Sequence, residues 1–144
     1  MSNDVKNSRK IMIFGTFDLL HLGHISLIKQ ARKYGDNLIL VLARDETVKK
    51  LKGFYPTQNI DQRAQKIADI KLVNKIVKGK LRNYYQVINN YQPDVICLGY
   101  DQTYLTDQLK DKIQQFNLKT KVVRLKSFES EKYKSSIIKG VKPH

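Results

Sequence analysis

The sequence predicts an α/β fold: one domain in which a five-stranded, mostly parallel sheet is covered by helices on both faces. Three observations carry that expectation. Short apolar runs alternate with stretches of helical periodicity along most of the 144-residue chain. Two of the runs, Asn37–Ala43 and Val95–Leu98, are apolar almost without interruption, as in strands buried on both faces of a parallel sheet. The spacing from the run at Ile11 through a helical pattern to the run at Asn37 is that of a right-handed βαβ unit.

Taken in order, residues 1–9 read as a flexible polar lead before a domain spanning residues 10–140. Ile11–Phe14 has the length and β-branched content of a buried first strand. Gly15 ends it and lets the backbone turn tightly or approach a ligand. Ile25, Leu27, Ile28 and Ala31 share one face at helical spacing, which predicts a helix from about Gly23 to Tyr34 with Gly35 as its stop. Asn37–Ala43 is the second strand. The charged stretch from Arg44 to Gly53 leaves its end, and Lys49 and Lys50 read equally well as an exposed basic helix or as phosphate-facing groups. Lys52-Gly53 reads as the end of a mobile loop, because Gly53 and Pro56 bracket an irregular segment.

Ala64, Ile67 and Ala68 set a helix from about Asp61 to Ile70, with Asn59 or Asp61 as its cap. Arg63 falls in the first turn of that helix, where the dipole disfavours a positive charge, so a phosphate or a carboxylate is expected beside it. Lys75–Val77 is a short third strand, and Tyr84–Tyr91 a helix broken by Gln92-Pro93-Asp94. Val95–Leu98 is the fourth strand, Leu105–Phe116 a helix and Lys121–Leu125 the fifth strand. Ser135 or Ser136 makes a natural N-cap for a last short helix, whose N–H groups form an anion site if a ligand is present and a plain cap if not. The layout is Rossmann-like, with ligands expected beyond the carboxyl ends of the strands.

Composition narrows the function classes. No run approaches the roughly 20 apolar residues of a membrane span, and residues 1–10 lack a signal-peptide core, so a cytoplasmic protein is expected. The single cysteine, Cys97, excludes an internal disulfide and reads as a small core residue. A net charge of +14 raises two kinds of partner, an anionic nucleotide or a nucleic-acid backbone. The lysines are dispersed, without an arginine-rich tract, so nucleic acid is the weaker expectation.

The chemistry concentrates after the first strand. Gly15-Thr16-Phe17-Asp18 leads into His21-Leu22-Gly23-His24, which holds two of the three histidines in the chain. A strand, a glycine-bearing loop and a helix start in succession gather main-chain N–H groups where an anion can sit. A single histidine there would be filler; two spaced over one loop suit donation to phosphate oxygens as charge builds on them. Metal binding is a weaker use of the pair, because His-x-x-His lacks a third nearby ligand. At the end of the fourth strand, Gly99-Tyr100-Asp101-Gln102 is either a β-turn or part of a ligand pocket.

Gly15-Thr16-Phe17-Asp18 with His21-Leu22-Gly23-His24 resembles the His-x-Gly-His motif of the cytidylyltransferase-like nucleotidyltransferases, and the resemblance runs over about residues 10–140. Within that superfamily, Val41–Gly53, Gly99–Gln102 and Lys121–Arg124 look most like the archaeal-type FAD synthases. Leu22 and Lys134 depart from their pattern, where proline and cysteine are common. The resemblance implies transfer of a nucleoside monophosphate from an NTP to a phosphate-bearing acceptor, ATP and FMN giving FAD. CTP with glycerol-3-phosphate, or a heptose phosphate with ATP, is the alternative. It implies roles for His21, His24 and Lys52 in catalysis, and for Gly15, Thr16, Phe17, Gly23, Arg63, Gly99, Asp101, Gln102, Ser135 and Ser136 in nucleotide binding. It further implies Mg²⁺ held through the nucleotide phosphates, with no direct protein ligands assigned, and a homodimer.

Overall fold

The computed structural model describes residues 8–99 and 106–127. Five strands, β1 (Lys10–Gly15), β2 (Asn37–Leu42), β3 (Lys75–Lys78), β4 (Val95–Leu98) and β5 (Lys121–Arg124), form one sheet in the order β3-β2-β1-β4-β5. Every pairing is parallel, so the sheet is wholly and not just mostly parallel. The helices between them are α1 (Leu22–Arg32), α2 (Asp45–Lys52), α3 (Ile60–Asp69), α4 (Gln86–Tyr91) and α5 (Thr106–Gln115). The strand order reverses direction at β1, and the crevice between the C-terminal ends of β1 and β4 is the switch point where such sheets bind ligands.

Strand side chains point alternately to the two faces, and the core divides accordingly. Ile11, Ile13, Leu38, Leu40, Leu42, Val95 and Cys97 pack with Ile28 and Ala31 of α1 and Ile67 of α3. Met12, Phe14, Ile39, Val41, Ile96 and Leu98 pack with Ile88 of α4 and Leu109 and Ile113 of α5. Burying each such side chain is worth about 1.5–3 kcal/mol, which is why β1, β2 and β4 are almost continuously apolar. The edge strands β3 and β5 are exposed at both ends, and their sequences shorten and turn basic to match. Among the described residues no helix is long and apolar enough to cross a membrane.

Several boundaries differ from the sequence expectation for local reasons. The first helix ends on Lys33 in the right-handed region, so Gly35 is not its left-handed stop. Gly35 is needed for closeness instead: a Cβ there would lie 2.5 Å from Ile11 Cδ1 and 2.7 Å from the Arg9 carbonyl. Arg9, expected in the flexible lead, already donates its N–H to Asp36 at 2.8 Å and accepts from Asn37 N; residues 1–7 lie outside the described residues. Lys52 closes a helix rather than a loose loop, with Gly53 at φ 89° as a left-handed cap donating to the Lys49 carbonyl. Of the two cap candidates for α3, Asn59 is used, in a reciprocal capping box with Gln62. The helix expected from Tyr84 starts at Gln86, after a turn in which Gln86 N donates to the carbonyl of left-handed Asn83.

Candidate active site

The loop from Gly15 to His21 joins β1 to α1 at the switch point. Its path requires left-handed backbone at two residues that are not glycine, Phe17 and Leu19, both at φ 52°. Each such residue carries about 1–2 kcal/mol of strain, so the loop holds its shape only because neighbours fix it. Phe17 is 4% exposed and its ring occupies the space beside Gly15, where a Cβ would meet Phe17 Cε2 at 2.6 Å. Asp18 accepts from Thr57 N at 2.7 Å and Gln58 N at 2.9 Å, and Gln58 Oε1 accepts from Leu19 N at 3.2 Å. Burial alone would raise the Asp18 pKa, but those main-chain donors and the positive charge of Arg63 hold it below its ordinary 3.8.

Arg63 takes the carboxylate option. It is 0% exposed, and its guanidinium donates to Asp45 Oδ1 at 2.6 Å, the Thr16 carbonyl at 2.8 Å and the Gln58 carbonyl at 3.0 Å. All three guanidinium nitrogens are thus engaged by protein acceptors. Its donors face α2 and the back of the loop, where it fixes Thr16 from behind.

His21 is the N-cap of α1 in extended backbone, and its Nδ1 accepts from Gly23 N at 3.1 Å. His24 Nδ1 accepts from His21 N at 3.2 Å, which closes a capping box built from imidazoles. The two rings stack with centroids 3.8 Å apart and planes 21° from parallel, and Phe17 meets His24 edge-on at 5.3 Å. A Cβ at Gly23 would lie 2.9 Å from His21 Cε1, so a larger residue there would push the His21 ring out of its present position. A nitrogen that accepts a hydrogen bond carries no proton, so in both rings the proton sits on Nε2. The loop thus presents two Nε2–H donors at a helix N-terminus.

The His24 pKa is pushed down from 6.5 to about 4, first by burial, then by the charges of His21 and Lys52, against a weaker opposing effect of Asp18. Lys52, exposed at the end of α2, thus acts electrostatically on His24. Lys49, by contrast, is engaged locally, donating to the Gly53 carbonyl at 3.0 Å and lying 5.7 Å from the Tyr55 ring centroid. Across the crevice, Ile13 of β1 stands opposite Cys97 of β4, so Gly15 and Gly99 leave neighbouring strands at the same sheet edge. The Gly99 carbonyl accepts from Arg124 Nη1 at 2.7 Å. Asp101, Gln102, Ser135 and Ser136 lie outside the described residues. Cys97 is 0% exposed, and burial pushes its thiol up to about 12, so it stays a protonated core residue.

The structure thus brings Gly15, Thr16, Phe17, His21, Gly23, His24 and Lys52 to one place, with Gly99 at the adjoining strand end. Sequence reasoning missed the role of Asp18, quoted in the motif but given none, and of Gln58. The available signal was the acidic side chain inside a loop expected to receive anions: such a residue has to be engaged elsewhere.

The profile of the Cytidylyltransferase-like family matches residues 12–141. The chain is 39% identical over 119 residues to the FAD synthase of Aciduliprofundum boonei, covering 83% of this chain and 79% of the relative. It is 40% identical over 117 residues to the FAD synthase of Pyrococcus abyssi, covering 81% and 79%. Among solved structures, a lipopolysaccharide core biosynthesis protein from Thermoplasma volcanium superposes with a TM-score of 0.77 at 34% identity, covering 83% of this chain and 98% of that one. A fold and a sequence shared over this length make the chain a nucleotidyltransferase belonging to the cytidylyltransferase-like family.

Proposed function

We propose that the chain transfers AMP from ATP to the phosphate of FMN, forming FAD and pyrophosphate. The observation that carries this reading is the stacked pair His21–His24, each Nδ1 occupied by a main-chain N–H and each Nε2–H left to donate. The FAD synthases at 39% and 40% identity support flavin as the acceptor. A phosphate oxygen of FMN attacks the α-phosphorus in line, and the bond to the bridging oxygen breaks as pyrophosphate departs with its electron pair. No protein nucleophile is required, so rate comes from positioning and from stabilising charge on the phosphoryl oxygens. His21 and His24 donate to those oxygens, Lys52 neutralises the approaching and reacting phosphates, and Thr16 with the Gly15–Phe17 main chain and Gly23 holds the triphosphate. Gly99, Asp101 and Gln102 line the base and ribose pocket, and Ser135 and Ser136 bind the β/γ end.

The donors at the site, imidazole N–H, ammonium and main-chain N–H, suit phosphate oxygens and do not ligate cations. Asp18 is turned to main-chain donors, and among the described residues no cluster of three or more His, Cys, Asp or Glu could hold a metal. Magnesium fits as the companion of the nucleotide phosphates, where it would screen their charge. Cytoplasmic location and homodimeric assembly belong to the same reading.

The test is chromatographic product analysis with two substrate pairs, ATP plus FMN and CTP plus glycerol-3-phosphate, each with magnesium. FAD and pyrophosphate are expected from the first pair only; CDP-glycerol without FAD would transfer the chain to the other reaction. His24→Ala should lower turnover by roughly 10²–10³ while nucleotide binding is largely kept.

A further inference from the structure

The crevice between β1 and β4 opens because the two strands part within the sheet. Their pairing ends at Ile13 opposite Cys97. Beyond that point β1 pairs on with β2, as far as Gly15 opposite Leu42, and β4 pairs on with β5, as far as Leu98 opposite Arg124. Two further bonds make the ends of β4 and β5 one unit: Leu125 N donates to the Leu98 carbonyl at 2.8 Å, and Arg124 Nη1 to the Gly99 carbonyl at 2.7 Å. One wall of the crevice is therefore the β1 loop with α1, and the other is the β4–β5 corner. The β1–β4 ladder stops below the level of Gly15 and Gly99, so it does not set the distance between the walls there.

Gln30 of α1 reaches from the first wall to the second. Its Nε2 donates to the Lys126 carbonyl at 3.0 Å and its Oε1 accepts from Lys126 N at 2.9 Å. One side-chain amide thus satisfies both main-chain polar groups of the second residue beyond β5. The other Nε2 hydrogen goes to Ser26 Oγ, one turn earlier, at 3.2 Å, which engages the whole amide and fixes its direction. Leu125, 4% exposed, shares a core with Ile28 and Ala31 of α1. Apolar packing is non-directional, whereas a paired amide fixes distance and register. Gln30 and His24 are on the same helix, about 9 Å apart along its axis.

We infer that Gln30 is a positioning residue for the nucleotide: it braces α1, with its imidazole pair, against the β4–β5 corner, and so sets the span that a nucleoside triphosphate bridges. The inference rests on the reading that the phosphates lie at His21 and His24 and the base and ribose at Gly99. A molecule held at both walls gains full affinity only when the walls already stand at the right distance. One held at a single wall does not depend on that distance.

Equilibrium dialysis of the full chain with magnesium tests the brace by comparing ATP, CTP and inorganic tripolyphosphate, which has no base or ribose to reach the second wall. Gln30→Met keeps the side-chain length and helix propensity and removes all three hydrogen bonds. Gln30→Glu keeps the acceptor for Lys126 N and loses the two donors, and it decides by the same contrast if the first variant fails to fold. Gln30→Met should bind the nucleotide at least about fivefold more weakly, with tripolyphosphate binding unchanged, and Gln30→Glu should weaken it less. Equal weakening of nucleotide and tripolyphosphate would mark a general structural role and overturn the brace, as would undiminished nucleotide binding by the folded variants. The same contrast seen with CTP, in a chain that does not bind ATP, upholds the brace and removes the ATP and FMN reading. A wild type that binds neither nucleotide removes both.

Discussion

A histidine that donates a hydrogen bond from one nitrogen while accepting on the other must carry a single proton. His24 meets that condition through its surroundings. Burial, then the nearby charges of His21 and Lys52, push its pKa from 6.5 down to about 4, while its Nδ1 is held by His21 N. The folded-state pKa is thus below the unfolded value. The stability this group contributes is complete above about pH 6.5 and is lost as pH falls from there through about 4. NMR of the imidazole in the folded chain should give a midpoint near 4, and His24→Gln should flatten the decline in stability over the same interval. A midpoint at the ordinary 6.5 would show that the ring is neither desolvated nor influenced by its cationic neighbours. The sequence makes the pair visible through its spacing. Its tautomer is not visible there, because that depends on which main-chain N–H groups the folded loop aims at Nδ1.

At the scale of elements, the strained β1–α1 loop is held by α2, α3 and the segment between them. Asp45 at the first turn of α2, Arg63 in α3 and the carbonyls of Thr16 and Gln58 meet around one guanidinium. Arg63→Met would leave the Asp45 carboxylate without its partner and two carbonyls without their donor. Asp45 retains 28% side-chain exposure, so a loss near the lower end for a broken buried pair, about 3 kcal/mol, is expected in urea denaturation. Turnover should fall as well, since Thr16 loses its support. A loss under about 1 kcal/mol would mean that the buried pair contributes no more than an ordinary surface one. The dipole argument at the start of α3 indicated that Arg63 needs an anionic partner. Choosing between phosphate and carboxylate required knowing that α2 and α3 converge behind the loop, which local sequence does not encode.

For the whole molecule, 27 Lys and Arg against 13 Asp and Glu leave a net charge of +14 on 144 residues. Like charges at this density oppose compaction. Screening length falls from about 30 Å at 0.01 M salt to about 8 Å at 0.15 M, so the melting temperature of the ligand-free chain should rise over that interval. A flat or falling melting temperature would show that attractive pairs outweigh the repulsion. The described ion pairs are Arg63–Asp45 and Lys78–Asp61, and the cations exceed the carboxylates by 14 over the whole chain. In such a field an anionic nucleotide is attracted before any specific contact forms.

The amino-acid order by itself determined the elements and their type. Apolar runs cannot be left in water, and their lengths distinguish strands at the centre of the sheet from helices laid across it. It also determined the motif, since glycines at positions 15 and 23 and histidines at 21 and 24 are local requirements of one loop. The tertiary structure alone decided the order β3-β2-β1-β4-β5, the turning of Asp18 and Arg63 into supports for that loop, and the link from Gln30 of α1 to the chain beyond β5. Those features join residues far apart in the chain, Thr16 with Arg63 and Ile11 with Val95 among them, and their energies come from burial and partner geometry that exist only once the chain has closed on itself.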